Sequence, residues 1–385
     1  KENQIDLLVN LSASPFSYSK ELVRHNLAQK ACKRLHCSMI YLNQVGGNDE
    51  LVFDGSSFVM NPQGEIIHCL PKCKESISIW DSSQKESIQL IPYSNQQENL
   101  FRSLVLGVKD YCSKCSFQSV LLGLSGGIDS ALVAAIATAA LDGEKINAVL
   151  MPSPWSSAGS IEDALELAKR LGMKTNIIPI NNLMSTYEST LTTTLGELPK
   201  DITAENLQAR IRGTLLMAIA NQQNHLLLST GNKSELAMGY CTLYGDMNGG
   251  LSVIGDLYKT SVFKLCNWLD SNQSSQCRAE MGLNNITEII GSKIRNKAPS
   301  AELRKDQLDT DSLPPYDLLD PILKGIIEDR LNEDELIDLG YEKDLIQKIS
   351  SSLKKAEFKR RQAPPLLKVS DQAFGSGWRI PIASK

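Results

Sequence analysis

One stretch limits this chain more than any other: an apolar strand that passes through a glycine pair directly into a helix. Val120-Leu121-Leu122 reads as a buried strand, and Ala131 to Ala137 reads as a helix. Between them lies Gly123-Leu124-Ser125-Gly126-Gly127-Ile128-Asp129-Ser130. A strand feeding a helix N-terminus through a small-residue turn leaves backbone N–H groups without partners, and the helix dipole there favours anions. Gly126 and Gly127 let the backbone approach a ligand closely, and Ser125 and Ser130 add hydroxyls. A carboxylate beside a bound phosphate would repel it, so Asp129 makes sense with a Mg²⁺ between them. The Gly-x-x-x-x-Gly-Lys-Ser/Thr loop of kinases and ATPases is missing.

Around this loop, strand and helix signals alternate. Apolar runs predict strands at 119–124, 146–151, 174–180 and 225–230, and periodicity predicts helices at 129–141, 159–171 and 204–223. That order predicts an α/β fold, a doubly wound parallel sheet with helices on both faces and ligands at the C-terminal strand ends. The strand ends carry chemistry. One leads into Met151-Pro-Ser-Pro-Trp-Ser-Ser157, a shaped loop suited to lie under an adenosine, although Trp155 reads equally as core. Another leads into Thr230-Gly-Asn-Lys-Ser-Glu235. Glu235, one turn into the next helix, can face the same mouth as Asp129 and share a Mg²⁺ with it, or can simply cap its own helix.

Further along, Arg210 and Arg212 lie two apart and so point to different faces of their helix. Tyr240 to Gly250 is glycine-rich and polar and reads as a mobile loop able to order over a substrate. Lys259 and Lys264 start another helix. Residues 297–323 read as extended and partly mobile, and 317–361 as amphipathic helix. Lys359, Arg360 and Arg361 precede a proline stop, either as a solvated helix end or as a clamp on a phosphate-bearing substrate.

The part before the loop is different. Residues 5–9, 38–42, 51–53, 57–60, 65–70 and 76–80 read as short strands and 20–36 as a helix, with Asn61-Pro-Gln-Gly64 as a hairpin turn. This strand-rich piece, residues 1–80, contains no evident catalytic constellation. Residues 81–97 are polar and read as a linker, and 98–115 as an amphipathic helix opening a second domain over 98–385.

Composition closes off other classes. A net charge of −4 argues against a general nucleic-acid surface, and no apolar run approaches the ~20 residues of a membrane span. Nine scattered cysteines read as free thiols of a reducing cytoplasm. Cys112-x-x-Cys115 falls late in a helix, where cysteine is a small buried apolar residue, and His68, Cys69 and Cys73 form no convincing metal or redox set. None of the four histidines has a nucleophile partner. The start at Lys1-Glu2-Asn3, almost within a strand, reads as a piece of a longer chain.

Ser125-Gly-Gly-Ile-Asp-Ser130 resembles the pyrophosphate loop of ATP pyrophosphatases, which adopt the adenine nucleotide alpha-hydrolase fold. Together with Thr230 to Glu235, Lys297-Ala-Pro-Ser-Ala-Glu-Leu303 and Lys359-Arg-Arg-Gln-Ala-Pro-Pro365, it resembles the synthetase domain of glutamine-dependent NAD⁺ synthetases. Asn10 to Phe16 and Asn43 to Gly55 resemble the end of a truncated α/β nitrilase-type glutaminase sandwich. The resemblance implies a ligase that activates deamido-NAD⁺ with ATP and Mg²⁺, releases pyrophosphate, and lets ammonia displace AMP. It implies ATP at Gly123, Leu124, Ser125, Gly126, Gly127, Ile128, Asp129, Ser130 and Thr230, and Mg²⁺ at Asp129 and Glu235. Around deamido-NAD⁺ it implies Asn206, Arg210, Glu235, Asp246, Lys259 and Lys359, and around glutamine Ser14 and Lys20. Ser14 read from its neighbours alone is a turn cap, and Lys20 a solvated helix start. The glutaminase Glu, Lys and Cys would precede Lys1, so ammonia alone is expected to serve this stretch. The resemblance also implies a cytoplasmic homo-oligomer, at least a dimer. Leu243 stands where ammonia-only relatives carry lysine. Two other readings stay open: a GMP or asparagine synthetase-like enzyme, and a non-catalytic nucleotide-binding module.

Overall fold

The computed structural model describes residues 5–83, 95–283 and 288–383. The chain divides into two compact units, Lys1–Tyr111 with Lys368–Asp371, and Cys112–Leu367 with Gln372–Lys385.

In the first unit the elements are β1 (Leu7–Ser12), α1 (Lys20–Leu35), β2 (Ser38–Asn43), β3 (Val45–Asn48), β4 (Leu51–Asp54), β5 (Phe58–Met60), β6 (Ile66–Cys69) and then α2 (Gln96–Lys114). The sheet runs β1-β2-β5-β6, with β1 and β2 parallel and the rest antiparallel, and β3 and β4 form a separate hairpin. Strand alternation puts Met39 and Tyr41 of β2 on the face that packs with Ala28 and Cys32 of α1 and with Phe58 and Met60. The Asn61–Gly64 turn closes β5 to β6, with Gly64 at φ +83° and the Glu65 N–H on Asn61 Oδ1 at 2.8 Å. Residues 76–80, expected as a strand, are irregular, and Ile77 and Ile79 are 98% and 90% exposed. Alternating serine and isoleucine supplies a strand pattern, but no neighbouring strand pairs with it among the described residues. Residues 84–94 of the expected linker lie outside the described residues.

The second unit begins with β7 (Val120–Gly123), α3 (Ile128–Leu141), β8 (Ile146–Leu150), α4 (Ala158–Arg170) and β9 (Lys174–Ile177). It continues with α5 (Asn181–Leu195), α6 (Asp201–Gln223), β10 (Leu226–Ser229), α7 (Lys233–Met238), β11 (Leu251–Ser252) and α8 (Lys259–Leu269). The last helices are α9 (Ser275–Glu280), α10 (Ser292–Asn296), α11 (Tyr316–Ile327), α12 (Glu333–Asp338), α13 (Lys343–Lys355) and α14 (Glu357–Arg360). All strands of the sheet, in the order β11-β10-β7-β8-β9, are parallel. Leu121, Val149 and Leu227 pack with Ala220 and Leu216 of α6. Their neighbours Leu122, Ala148 and Leu228 point the other way by alternation and are also buried. The sheet is therefore covered on both faces, as its near-continuous apolar strands require. α3 is buried over ten consecutive or near-consecutive positions from Ile128 to Thr138, which explains its Ala-rich sequence.

The expected single helical stretch at 317–361 is α11 to α14, broken at Asp329 to Asn332 and near Gly340, where φ is +94°. Leu319, Ile322, Leu323, Leu336, Ile346 and Ile349 of these helices pack under Leu236 and Ala237 of α7. Trp155 is 44% exposed and so is not core.

Candidate functional site

Strand order reverses at β7: β8 and β9 lie on one side of it, β10 and β11 on the other. In an open parallel sheet, the crevice outside the carboxyl ends at such a reversal is where ligands sit, because the two loops diverge there. Here those loops are 123–128 after β7 and 230–235 after β10, and both line one cavity of about 310 Å³.

The first loop is wound tightly on its own hydroxyls. Ser130 Oγ donates to the Gly127 carbonyl at 3.0 Å, and the Gly127 N–H reaches Ser125 Oγ at 3.2 Å. Gly126 sits at φ +78°, and a Cβ there would lie 2.2 Å from the Ser160 carbonyl oxygen on α4. Only glycine meets both demands, the backbone conformation and the space. Ser130 is buried and serves the loop, whereas Ser125 is exposed to the cavity.

Asn232, at the N-cap of α7, joins the second loop to the first. Its Oδ1 accepts the Glu235 N–H at 3.0 Å, Glu235 Oε2 accepts the Asn232 N–H at 3.2 Å, and Asn232 Nδ2 donates to Asp129 Oδ1 at 3.0 Å. Glu235 thus completes a capping box and lines the same cavity as Asp129. Lys259 Nζ lies between the carboxylates, in close contact with Asp129 and 3.6 Å from Glu235 Oε1. Its helix start is fixed by Ser234 Oγ, which accepts the Lys259 N–H at 3.0 Å and donates to Asp320 at 2.6 Å.

This cluster holds more negative charge than one ammonium offsets. Burial, and then the Asp129 charge, push the Glu235 carboxyl up to about 8 against the pull of Lys259. Burial acts to lower Lys259, but Asp129 and Glu235 outweigh it and hold the ammonium above its ordinary value. Burial also raises the carboxyl of Asp309, the next acid along the wall, which accepts from Tyr316 Oη at 2.8 Å. Among the described residues no group of three or more His, Cys, Asp or Glu forms a ready-made metal cage. Asp129 and Glu235 nonetheless suit a divalent cation arriving with its own phosphate ligands, since added positive charge would relieve the push on Glu235.

The far wall comes from α6, α4 and the segment after α10. Arg212 Nε donates to the Met151 carbonyl at 3.1 Å, and burial lowers its guanidinium to about 10, so it stays charged at neutral pH. Lys297, Ser160 and Glu302 form a second polar cluster. The segment 297–309 is packed: Gln208 Nε2 holds the Leu303 carbonyl at 2.8 Å and Gln307 Oε1 accepts the Leu303 N–H at 2.8 Å.

The NAD synthase family model matches residues 100–363. The chain belongs to the NAD synthase family. A glutamine-dependent NAD(+) synthetase of a Synechocystis species is 52% identical over 385 residues, covering 98% of this chain and 66% of that protein. One from Acinetobacter baylyi is 42% identical over 384 residues, covering 99% and 69%. Among solved structures, that of a glutamine-dependent NAD+ synthetase from Acinetobacter baumannii in complex with ADP is 39% identical, with a TM-score of 0.70, and covers 98% of this chain and 68% of that one. The chain thus spans about two thirds of the length of these relatives.

Of the positions matched to the family, Gly123, Leu124, Ser125, Gly127, Ile128, Asp129, Ser130, Thr230, Glu235, Asp246 and Lys259 line the cavity. Gly126 is buried and does not, and neither do Asn206, Arg210 and Lys359, which lie elsewhere. The last three hold the 239–248 loop instead: Asn206 Oδ1 accepts from Thr242 Oγ1 at 2.8 Å, and Arg210 Nε donates to the Leu243 carbonyl at 3.3 Å. Lys359 Nζ donates to the Gly239 and Cys241 carbonyls at 2.8 and 2.7 Å. The loop is therefore packed on α6 and braced from α14, not open as its glycines suggested. A Cβ on Gly213 would lie 2.7 Å from the Gly245 carbonyl oxygen, so the glycines serve close approach of loop to helix. Asp246 opens from this loop onto the cavity. Desolvation by the surrounding walls raises it to about 6, opposed by the Thr242 N–H and the charges of Lys359 and Arg212.

Ser14 and Lys20 belong to the first unit. Ser14 Oγ accepts from Arg24 Nε at 3.1 Å, its N–H reaches Asn43 Oδ1 at 2.8 Å, and Arg24 is ion-paired to buried Asp54 at 2.8 Å. Lys20 is the first residue of α1. Asn232, Lys297 and Glu302 were read from sequence only as members of their motifs, with no role given to them, and Asp309 was not singled out. The spacing of Arg210 and Arg212 did show that only one of them could face the site.

Proposed function

We propose that this chain carries out the ATP-dependent amidation of deamido-NAD⁺ to NAD⁺, through an adenylate of the nicotinate carboxylate, with release of pyrophosphate and AMP. The observation that carries this reading is the meeting of the Ser125–Ser130 loop with Asp129, Glu235 and Lys259 at the strand-order reversal.

A carboxylate is a poor acyl donor until one of its oxygens becomes a good leaving group. Attack of that oxygen on the α-phosphorus of ATP supplies the leaving group and expels pyrophosphate. The loop from Gly123 to Ser130 holds the phosphates, with Thr230 as a further ATP contact. Asp129 and Glu235 would hold Mg²⁺, which when bound offsets charge on the departing pyrophosphate. Lys259 keeps the two carboxylates together. Ammonia then attacks the activated carbonyl carbon and AMP leaves, so no enzyme nucleophile is needed. Glu235, Asp246 and Lys259 face the acceptor directly. Asn206, Arg210 and Lys359 position it through the 239–248 loop.

The similarity to glutamine-dependent NAD(+) synthetases supports glutamine as nitrogen source in a longer protein, with residues 1–80 as the closing part of a nitrilase-type glutaminase domain, 81–97 as linker and 98–385 as synthetase. Ser14 and Lys20 are then glutamine-side residues, with Arg24 holding the Ser14 turn in place. Exposed Leu7, Val9 and Leu11 on the edge strand β1 are a surface that neighbouring protein would cover. A homo-oligomer fits α5, a 15-residue helix whose one charged side chain is Glu188, which buries Met184 and exposes Leu183, Tyr187 and Leu195. Nine free cysteines suit a reducing cytoplasm, and no described helix is long and apolar enough to cross a membrane.

The test is release of AMP and pyrophosphate with ATP, Mg²⁺, ammonia and deamido-NAD⁺, compared with xanthosine monophosphate or aspartate as acceptor. Release with deamido-NAD⁺ alone supports the reading. Release with either alternative, or ATP binding without pyrophosphate release, overturns it.

A further inference from the structure

Three cations line the cavity among the described residues: Arg212, Lys259 and Lys297. They are not equally available to an anion. Lys259 is committed between Asp129 and Glu235. Arg212 has its Nε on the Met151 carbonyl, beyond the end of β8. Lys297 is held more loosely. Its ammonium rests on the Ser160 hydroxyl and stands 3.6 Å from Glu302 Oε1, with 29% of its side chain exposed.

We propose that Lys297 is a phosphate-contacting residue, the cation that receives the β- and γ-phosphates of ATP and the pyrophosphate formed from them. This inference rests on the ATP-dependent reading of the site. Three observations place Lys297 for that task. First, Ser160, on which it rests, abuts the phosphate loop itself, because the space beside Gly126 is filled by the Ser160 carbonyl. Second, the loop offers neutral N–H donors, while a triphosphate brings about four negative charges, so a mobile ammonium adds what the loop lacks. Third, the present partners of Lys297 lose little when it turns away. Glu302 Oε1 also accepts from the hydroxyls of Ser157, at 3.1 Å, and Ser160, so its charge stays hydrogen-bonded.

The bond that breaks is the one between the α-phosphorus and the oxygen bridging to the β-phosphorus. Its electron pair goes to that oxygen as the carboxylate oxygen of the acceptor bonds to phosphorus. Lys297 donates N–H hydrogen bonds to the growing charge and transfers no proton. Because the Leu303 carbonyl is held on α6 by Gln208, a turn of the Lys297 side chain onto the phosphates leaves this segment in place.

The experiment compares ATP and AMP binding by calorimetry, with Mg²⁺ present, in the protein and in Lys297→Met. A phosphate contact predicts an ATP affinity lower by about tenfold or more with AMP affinity changed less than about twofold, and recovery of most ATP affinity in Lys297→Arg. Equal losses for both nucleotides, an unchanged ATP affinity, or no recovery with arginine would overturn the proposal. If the methionine variant does not fold, Lys297→Gln supplies the same comparison. Pyrophosphate release by the unaltered protein separately tests the ATP-dependent reading, so failure of one is not mistaken for failure of the other.

Discussion

Two lysines, each set between two carboxylates, open the helices α7 and α8. Lys233 Nζ meets Asp256 and Glu328 at 2.9 Å each and the Gln372 carbonyl at 2.9 Å, and its side chain is fully buried. Lys259 Nζ touches Asp129 but stands 3.6 Å from Glu235, at the wall of the cavity. The formal charges are the same. In the first cluster three acceptors match the three protons of an ammonium, and the Tyr258 ring lies under the charge, 4.7 Å from its centroid. In the second the match is incomplete, and Glu235 is pushed up to about 8. Composition therefore does not separate a structural ion cluster from a functional one. The unequal distances and the open side do.

The comparison breaks if the two lysines behave alike on substitution. Lys233→Met leaves two buried carboxylates without a cation and should cost about 3–5 kcal/mol, read by chemical denaturation. Lys259→Met should cost far less, because Glu235 can take up a proton, yet should reduce pyrophosphate release by about 100-fold. Equal stability losses in the two variants would contradict the distinction. Asp129→Asn should reduce turnover by about 100-fold while leaving the fold intact, and should bring the Glu235 carboxyl back down, visible in the pH dependence of Mg²⁺–ATP binding.

That pH dependence has a definite sign. On the proposed reading the ionised Glu235 would hold Mg²⁺, so affinity for Mg²⁺–ATP should fall as pH drops below about 8, by up to tenfold per unit. Stability moves the other way. A carboxyl raised in the folded state contributes stability that is fully present below its unfolded value and is lost as pH rises through about 8. Glu235→Gln should therefore stabilise the ligand-free protein at pH 9 but not at pH 4, by ~2–4 °C in melting temperature. Gly126→Ala should cost about 1–3 kcal/mol for φ +78° and the contact with Ser160, read by chemical denaturation, and should weaken ATP binding.

Much of the sheet was legible because its strands are continuous apolar runs bounded by small-residue turns. The phosphate loop was legible because glycine, serine and aspartate at fixed spacing leave few alternatives. Glu235 and Asp129 could be paired because both open helices at strand ends. The limits are as instructive. The pattern of 76–80 is that of a strand, but strand formation needs a partner, which no local pattern encodes. Glycine in 240–250 reads equally as mobility or as close packing, and here Gly245 packs against α6. Arg212, Lys297 and Glu302 reach the cavity from elements distant in sequence. Lys359 resembles a substrate clamp by its charge, whereas the distances show an ammonium satisfied by two loop carbonyls.

The most direct test of the central claim follows one oxygen atom. Deamido-NAD⁺ labelled with ¹⁸O in the nicotinate carboxylate is turned over with ATP, Mg²⁺ and ammonia, and the products are weighed by mass spectrometry. Adenylate formation predicts one ¹⁸O in AMP and none in pyrophosphate. Unlabelled AMP, or ADP with labelled inorganic phosphate, would contradict the account.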